Sequence, residues 1–133
     1  MKEYKEIQVA LLGLGTVGLG VYKVLQMQKE EMQHKIGTEI KIKKILVRNL
    51  EKAAGKIEDA SVLTDSWQEI VNDDEIQIVI EVMGGMEPAR TYIMEAMQAG
   101  KQVVTANKDL IAADGKELMD QAKKSGCDLL FEA

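Results

Sequence analysis

The 133-residue chain predicts a doubly wound parallel α/β domain, and three observations lead to that fold class. Short apolar runs alternate with stretches of helical periodicity, which is typical of a parallel sheet with right-handed crossovers and helices on both faces. A G-x-G-x-x-G motif, formed by Gly13, Gly15 and Gly18, directly follows the first apolar run. Hydrophobic residues make up 46% of the chain, which is enough for one domain with its own core.

The glycine motif lies between a predicted strand and a predicted helix. Residues Ile7 to Leu12 are almost wholly apolar, as in a buried parallel strand. A helical pattern begins at Thr16 and extends to about His34, and Gly37 is a suitable residue to end it. This context favours dinucleotide binding as the function of the motif. The alternative is a turn that only joins a strand to a helix.

Each glycine of the motif has a physical role in the dinucleotide interpretation. Gly13 adopts the backbone angles of a tight turn that a Cβ atom would hinder. Gly15 allows a pyrophosphate to approach the main chain, and Gly18 allows the helix to pack closely against the first strand. The free N–H groups and the dipole at the helix start then face the phosphates.

The second predicted strand, from Glu39 to Val47, ends at a residue that bears on the choice of cofactor. An NAD-specific site usually has an Asp or Glu here that accepts hydrogen bonds from the ribose hydroxyls. This chain has Arg48, which can instead form a charge-assisted pair with the 2′-phosphate of NADP. Lys52 and Lys56 follow closely and can add positive charge. The alternative is that Arg48 is an ordinary exposed side chain at a strand end.

The remaining strands and helices complete the alternation. Ser66, with Glu69 three residues later, forms a predicted capping box for a short helix. Charged Glu81 lies in an apolar strand and is expected at the carboxyl end of the sheet, where ligands bind in open α/β folds. The predicted strands are Ser61 to Thr64, Ile76 to Val82, Gln102 to Thr105 and Cys127 to Phe131, and the predicted helices run from Pro88 to about Ala99 and from about Gly115 to Ser125.

Composition and charge exclude several classes of protein. The formal net charge of −5 argues against non-specific nucleic-acid binding, and no apolar run is long enough to span a bilayer. The start, MKEYKE, lacks the apolar core of a signal peptide, and the single cysteine, Cys127, cannot form an internal disulfide. These features predict a soluble cytoplasmic protein.

Three further residues receive structural interpretations. His34 has no partners at metal-ligand spacing, so we interpret it as a surface residue and expect no metal site. Cys127 begins an apolar run and is interpreted as a core residue rather than a nucleophile. Trp67 is expected in the core or at its edge.

Four motifs along the chain resemble those of the homoserine dehydrogenases. They are GLGTVG at Gly13 to Gly18, VRN at Val47 to Asn49, EVMGGMEPA at Glu81 to Ala89 and VVTANKDLIA at Val103 to Ala112. The last two are far more specific than the glycine motif, which many unrelated dehydrogenases share. The resemblance covers nearly the whole chain. It implies the Rossmann-type NAD(P)-binding domain of an enzyme that interconverts L-homoserine and L-aspartate 4-semialdehyde, in threonine, methionine and isoleucine biosynthesis.

The resemblance also implies roles for individual residues. The glycine turn would hold the pyrophosphate, Arg48 would contact the 2′-phosphate, and the paired glycines after the fourth strand would border the nicotinamide half of the cofactor. Lys108 corresponds to a lysine at the nicotinamide and substrate that is implicated in catalysis, and Thr105 and Asn107 would shape its loop. The cofactor is expected to be NADP(H), or else NAD(H), and its implied binding residues are Gly13, Leu14, Gly15, Thr16, Val17, Gly18, Arg48, Gly84, Gly85, Thr105 and Lys108.

The residues alone leave the role of Lys108 open. A lysine after a parallel strand can steer an anionic substrate or stabilise charge on an oxygen as hydride moves, and equally it can be a surface residue in a loop. In the family the chain continues into a catalytic and dimerising domain with a second essential lysine. We therefore expect residues 1–133 to be the cofactor-binding piece of a longer, homo-oligomeric enzyme of the monofunctional form, inactive towards homoserine by itself.

Two other functions stay open from the sequence. One is a different NAD(P)-dependent dehydrogenase of the same fold, although Ala106-Asn107-Lys108 replaces the E-K-P motif of the sugar-type enzymes. The other is a regulatory module that senses a dinucleotide. Such modules commonly have an acidic residue at the position of Arg48.

Overall fold

Six parallel strands form one sheet with helices on both faces, in a computed structural model that describes residues 5–36 and 38–131. The elements are β1 (Lys5–Leu12), α1 (Thr16–Ile36), β2 (Thr38–Leu46), α2 (Leu50–Ala54), β3 (Leu63–Thr64), α3 (Trp67–Val71), β4 (Ile76–Glu81), α4 (Ala89–Gln98), β5 (Gln102–Thr105), α5 (Lys108–Ser125) and β6 (Leu129–Phe131). A 3-10 turn, Ala60–Val62, precedes β3.

The strand order is β3-β2-β1-β4-β5-β6, and every neighbouring pair is parallel. The chain moves outward in one direction from β1 to β3 and in the other direction from β4 to β6. The order therefore reverses between β1 and β4. Ligands of open parallel sheets bind outside the carboxyl ends of the strands at such a point. The doubly wound fold that the sequence predicts is confirmed.

The central strand β1 is buried from both sides, which explains its apolar sequence. Ala10 and Leu12 pack in a cluster with residues of α3, α4 and α5, whereas Leu11 packs with residues of α1 and α2. All three side chains are fully buried. Because successive side chains of a strand point to opposite faces, both helical layers need apolar residues from β1. This packing fixes the positions of the loops that follow the strands.

The last helix differs from the prediction because a side-chain cap starts it earlier. α5 begins at Lys108 rather than at about Gly115, since the Asn107 side-chain oxygen accepts a hydrogen bond from the Leu110 N–H at 3.1 Å. The predicted start comes directly after Asp114, whose non-helical backbone (φ −128°) marks a kink inside the same helix. The cap places the beginning of α5 directly after β5.

Two short helices also depart from the prediction. α2 has no predicted counterpart, and the Asn49 side chain caps it by accepting from the Lys52 N–H at 3.0 Å. The predicted capping box of α3 is wrong, because the Ser66 side chain makes no capping hydrogen bond. Glu69 instead accepts a hydrogen bond from the Thr64 hydroxyl. The carboxylate is thereby used to join α3 to β3.

Trp67 and Cys127 contribute to the core, as predicted. Trp67 is buried and stacks on Tyr92 with ring centroids 4.5 Å apart, and its indole N–H donates to the Glu95 carboxylate at 2.8 Å. Cys127 packs against the same cluster, and burial raises the pKa of its thiol. A thiol with a raised pKa is a poor nucleophile, in keeping with a structural role.

The interpretations of His34 as a surface residue and of Gly37 as a helix end fall on residues or side chains that the structure does not describe. Within residues 5–36 and 38–131, no helix is long and apolar enough to cross a membrane. Across those same residues, no three His, Cys, Asp or Glu side chains are grouped as metal ligands.

Candidate functional site

The glycine turn connects β1 to α1 and packs against the segments that follow β2 and β4. Gly13 has a φ of 106°, which glycine adopts without steric cost, and its N–H donates to the Leu46 carbonyl oxygen at 2.9 Å. A Cβ atom on Gly13 would lie 3.3 Å from both the Met83 Cα atom and the Val82 carbonyl oxygen. The positive φ and this close packing both favour glycine here.

Gly18 brings α1 close to the turn, and Gly15 leaves space beside it. A Cβ atom on Gly18 would lie 2.4 Å from the Gly13 carbonyl oxygen, a main-chain atom that cannot move aside cheaply. A Cβ atom on Gly15 would meet nothing within 4 Å. α1 begins at Thr16, so its first N–H groups have no acceptors within the helix. These features make the turn suitable for an anion.

A cavity of about 680 Å³ extends from the glycine turn to the end of β2. Its volume is typical of sites for small molecules. Three cationic side chains, Arg48, Lys52 and Lys56, line it together with one acid, Asp65. The complete lining is Gly13, Leu14, Gly15, Leu46, Val47, Arg48, Asn49, Lys52, Ala53, Lys56, Asp65, Val82, Met83, Pro88 and Tyr92. The cavity therefore combines the glycine turn before α1 with an excess of positive charge.

The segment around α2 brings the cations to the turn. The Val47 N–H donates to the Thr64 carbonyl oxygen at 2.8 Å, which continues the pairing of β2 with β3 and leaves Arg48 exposed directly beyond it. After α2, the Lys56 ammonium donates to the Leu14 carbonyl oxygen at 3.1 Å. This bond joins the glycine turn to the segment that follows β2.

A second set of residues lies where β4 and β5 end. Gly84 and Gly85 both have a φ of 76° and follow β4. Glu81, fully buried at the end of β4, accepts hydrogen bonds from the Met83 and Gly84 N–H groups at 2.9 and 3.1 Å. Its other carboxylate oxygen accepts from the Thr105 hydroxyl. Glu81 therefore lies at the carboxyl end of the sheet, as predicted, but faces the protein interior.

Asn107 joins the glycines after β4 to the start of α5. Its side-chain N–H donates to the Gly85 carbonyl oxygen at 2.6 Å, and its side-chain oxygen accepts from the Leu110 N–H. Its backbone N–H donates to the Thr105 hydroxyl at 3.1 Å. Lys108, the first residue of α5, is exposed next to this anchor.

The residues that the sequence indicates fall into two groups along one edge of the sheet. Those that line the cavity are Gly13, Leu14, Gly15 and Arg48, and α1 continues from it with Thr16, Val17 and Gly18. Outside the cavity lining, Gly84 and Gly85 follow β4, Lys108 follows β5, and Thr105 is the buried last residue of β5.

Sequence reasoning missed several hydrogen bonds of the site and part of the cavity lining. The bond from Lys56 to the glycine turn and the cap formed by Asn107 had not been anticipated. An Asn before a helical pattern is a recognisable start signal, so the cap was open to detection. Tyr92 lines the cavity from α4, and no motif indicates it.

The fold and the site together define a class of protein. A doubly wound parallel sheet with a glycine turn and a helix start at its switch point is the Rossmann-type, dinucleotide-binding class. Comparison with known proteins narrows this class. The model of the homoserine dehydrogenase NAD-binding domain matches residues 13–132, and the chain belongs to that family.

Individual relatives agree with the family match. The chain is 46% identical over 129 residues to the homoserine dehydrogenase of Bacillus subtilis, covering 97% of this chain and 30% of that protein. It superposes on the Staphylococcus aureus homoserine dehydrogenase structure with a TM-score of 0.90 at 44% identity, covering 97% of this chain and 33% of the other.

A more distant relative was solved with a cofactor. A hyperthermophilic archaeal homoserine dehydrogenase in complex with NADPH matches with a TM-score of 0.76 at 26% identity, covering 96% of this chain and 44% of that chain. The chain spans about a third of the length of the Bacillus subtilis and Staphylococcus aureus enzymes.

Proposed function

We propose that this chain binds NADP(H) as the cofactor-binding domain of a homoserine dehydrogenase. The observation that supports this best is the order of residues along the carboxyl edge of the sheet. From β2 to β5 this edge presents Arg48, the glycine turn after β1, Gly84 and Gly85 after β4, and Lys108 after β5. That order matches the parts of an extended dinucleotide, from the 2′-phosphate through the pyrophosphate to the nicotinamide.

The groups on this edge suit the adenosine half and the pyrophosphate of the cofactor. The free N–H groups at the start of α1 and the open position beside Gly15 suit the pyrophosphate. Arg48 offers a planar guanidinium to the 2′-phosphate, and Lys52 and Lys56 add charge around the same cavity. Because Arg48 follows β2 where NAD-specific sites usually have an acid, we propose a preference for NADP(H) over NAD(H).

We propose a catalytic role for Lys108. It is exposed at the start of α5, directly after β5 and next to the glycines that follow β4. When bound, the nicotinamide supplies or accepts the hydride. The Lys108 ammonium would attract the carboxylate of a substrate or stabilise negative charge that develops on the substrate oxygen.

The complete reaction belongs to a longer protein in this proposal. The chain spans about a third of its bacterial relatives, so we propose that the full-length enzyme interconverts L-homoserine and L-aspartate 4-semialdehyde and is a homo-oligomer. The present chain is proposed to bind the cofactor without turning over homoserine. A single half-buried cysteine is in keeping with a reducing compartment, and we propose the cytoplasm.

Calorimetric titration of the chain with NADPH and, separately, with NADH tests the proposal. We expect saturable binding of both, with NADPH tighter by about tenfold because only NADPH carries the phosphate for Arg48. Equal affinities would retain the cofactor site and contradict the role of Arg48. An absence of binding to either cofactor would contradict the proposed function of this chain. Homoserine oxidation by the chain alone would contradict the proposal that this chain binds the cofactor without turning over homoserine.

A further inference from the structure

Glu81 is a buried acid that the proposed cofactor contacts do not use. Its side chain is completely buried at the end of β4, and all three groups that donate to it are uncharged. Burying a carboxylate carries a large desolvation cost unless its hydrogen bonds are satisfied. An apolar side chain would serve a purely structural position in this strand at lower cost.

The hydrogen bonds of Glu81 reach both the loop that follows β4 and the end of β5. One carboxylate oxygen receives the Met83 and Gly84 N–H groups, and the other receives the Thr105 hydroxyl. The Thr105 oxygen in turn accepts from the Asn107 N–H, and the Asn107 side chain donates to the Gly85 carbonyl oxygen. These bonds form a closed ring from β4 to β5 and back.

The ring determines where two functional features lie. On one side it holds the glycines that follow β4, both of which have a φ of 76° and nothing within 4 Å of their Cβ positions. On the other side it holds Asn107, which caps α5 and so sets the position of its first residue, Lys108. Neither Glu81 nor Thr105 is accessible to a ligand, since Glu81 is 0% and Thr105 is 2% exposed.

We propose that Glu81 is a positioning residue that holds the backbone after β4 and the start of α5 in the geometry needed by the nicotinamide half of the cofactor. This inference rests on the proposed function. It assigns to Glu81 no contact with the cofactor or the substrate. Met83, whose N–H donates to Glu81, also lines the cavity at Arg48, so we expect the effect of Glu81 to be largest at the β4–β5 end of the site and smaller at the cavity.

Two probes separate the two ends of the site. NADPH occupies the whole edge in this proposal, whereas adenosine 2′,5′-bisphosphate carries only the 2′-phosphate, the adenosine and one further phosphate. Calorimetry with both probes is applied to the wild-type chain and to Glu81→Leu, Glu81→Gln and Thr105→Val. Leucine removes every acceptor, glutamine keeps one acceptor oxygen and the shape, and valine removes the hydroxyl alone.

We expect Glu81→Leu and Thr105→Val to weaken NADPH binding by about tenfold and binding of the bisphosphate by less than about twofold. Glu81→Gln is expected to recover most of the NADPH affinity, because its oxygen can still accept from the two backbone N–H groups and its amide can donate to the Thr105 oxygen. If Glu81→Leu does not fold, Thr105→Val tests the positioning role by itself.

The results that overturn the inference differ from those that overturn the proposed function. Equal losses for both probes would show that Glu81 acts on general stability, and unchanged NADPH affinity in the folded variants would show that the ring has no influence on the site. Either result contradicts the positioning role. If the wild-type chain binds neither probe, the proposed function itself fails and the positioning role fails with it.

Discussion

The two halves of the carboxyl edge use charge in opposite ways. At the β1–β2 end, which we call the cationic half, Arg48, Lys52 and Lys56 line an open cavity beside free main-chain N–H groups. At the β4–β5 end, which we call the anchored half, the buried Glu81 and Thr105 are satisfied by neighbouring backbone and side-chain groups. One half presents its polar groups to a ligand and the other uses them to fix the backbone.

The difference between the two halves corresponds to the different needs of the phosphates and the nicotinamide of a dinucleotide. Phosphates are bound by charge and N–H groups, and the attraction between charges falls off slowly with distance, so small displacements cost little. Hydride transfer needs reacting atoms held at a defined distance and orientation, which a rigid surround provides. We therefore expect substitutions in the cationic half to alter the affinity for phosphate groups. Substitutions in the anchored half are expected to alter the positioning of the nicotinamide.

The largest expected effect is on the turn itself, through Gly18→Ala. The added Cβ atom would lie 2.4 Å from the Gly13 carbonyl oxygen, so we expect the free energy of unfolding in urea to fall by about 3 kcal/mol or more. Gly20→Ala is the matched control, because it lies in the same helix with nothing within 4 Å of its Cβ position. It should be neutral or stabilising by up to about 1 kcal/mol. Similar losses in both variants would contradict the packing argument.

Arg48→Ala tests the cationic half directly. It should weaken NADPH binding by about tenfold or more and change NADH binding by less than about twofold, because the guanidinium is proposed to pair with a phosphate that NADH lacks. Lys52→Ala, in the same cavity, should have a smaller effect on NADPH. Calorimetry with both cofactors measures this. Equal weakening of NADPH and NADH by Arg48→Ala would show that the arginine does not contact the 2′-phosphate.

Asn107→Asp tests the anchored half without removing the helix cap. The aspartate keeps an acceptor for the Leu110 N–H but places an oxygen against the Gly85 carbonyl oxygen instead of an N–H donor. We expect the free energy of unfolding to fall by about 1 kcal/mol and NADPH affinity to fall by about fivefold, with little change for adenosine 2′,5′-bisphosphate.

The control for that variant is Asn49→Asp, which preserves the equivalent cap on α2 through the Lys52 N–H. It should change the free energy of unfolding by less than about 0.5 kcal/mol. If Asn49→Asp and Asn107→Asp destabilise the chain equally, the bond to Gly85 has no separate importance.

The smallest expected effect lies at the opposite edge of the sheet. Lys43 donates to Asp73 at 2.7 Å, and this hydrogen bond holds the pKa of the Asp73 carboxyl below its usual 3.8. A carboxyl with a lowered pKa in the folded state stabilises the fold above its unfolded pKa, and the contribution is lost as pH falls through the folded value.

Asp73→Asn should therefore lower the free energy of unfolding at pH 7 by less than about 1 kcal/mol and reduce its decline below pH ~4. Urea titrations at several pH values measure both. NADPH affinity at pH 7 should not change, because Asp73 lies in the turn that precedes β4, at the amino end of that strand and outside the cavity lining. A large loss of affinity would contradict the division of the molecule into a binding edge and a structural edge.

The fold was accessible from sequence because its signals are local. The apolar run of β1, the glycines after it and the alternation of strands with helices each span a few consecutive residues. The start of α5 and the existence of α2 were missed because single side-chain caps at Asn107 and Asn49 determine them, whereas the predicted end of α5 at Ser125 is confirmed. Periodicity alone does not report a cap.

The hydrogen bonds that join distant residues of the site could not be predicted from local sequence patterns. Glu81 meets Thr105 across 24 positions, and Lys56 meets Leu14 across 42 positions. Such pairs form only after the strands have taken their order in the sheet. The strand that precedes Arg48 predicts a role for that residue, and the role stays a prediction, whereas the ring around Glu81 required the structure.

We propose that one cofactor lies along this edge with its 2′-phosphate end at β2 and its nicotinamide end at β4 and β5. Two-dimensional amide NMR of the chain tests it most directly, since Gly13, Gly15, Gly84 and Gly85 mark the two halves. We expect NADPH to shift the amide signals of all four glycines and adenosine 2′,5′-bisphosphate to shift those of Gly13 and Gly15 only. Shifts of Gly84 and Gly85 with the bisphosphate alone, or no shift of Gly13 and Gly15 with NADPH, would contradict it.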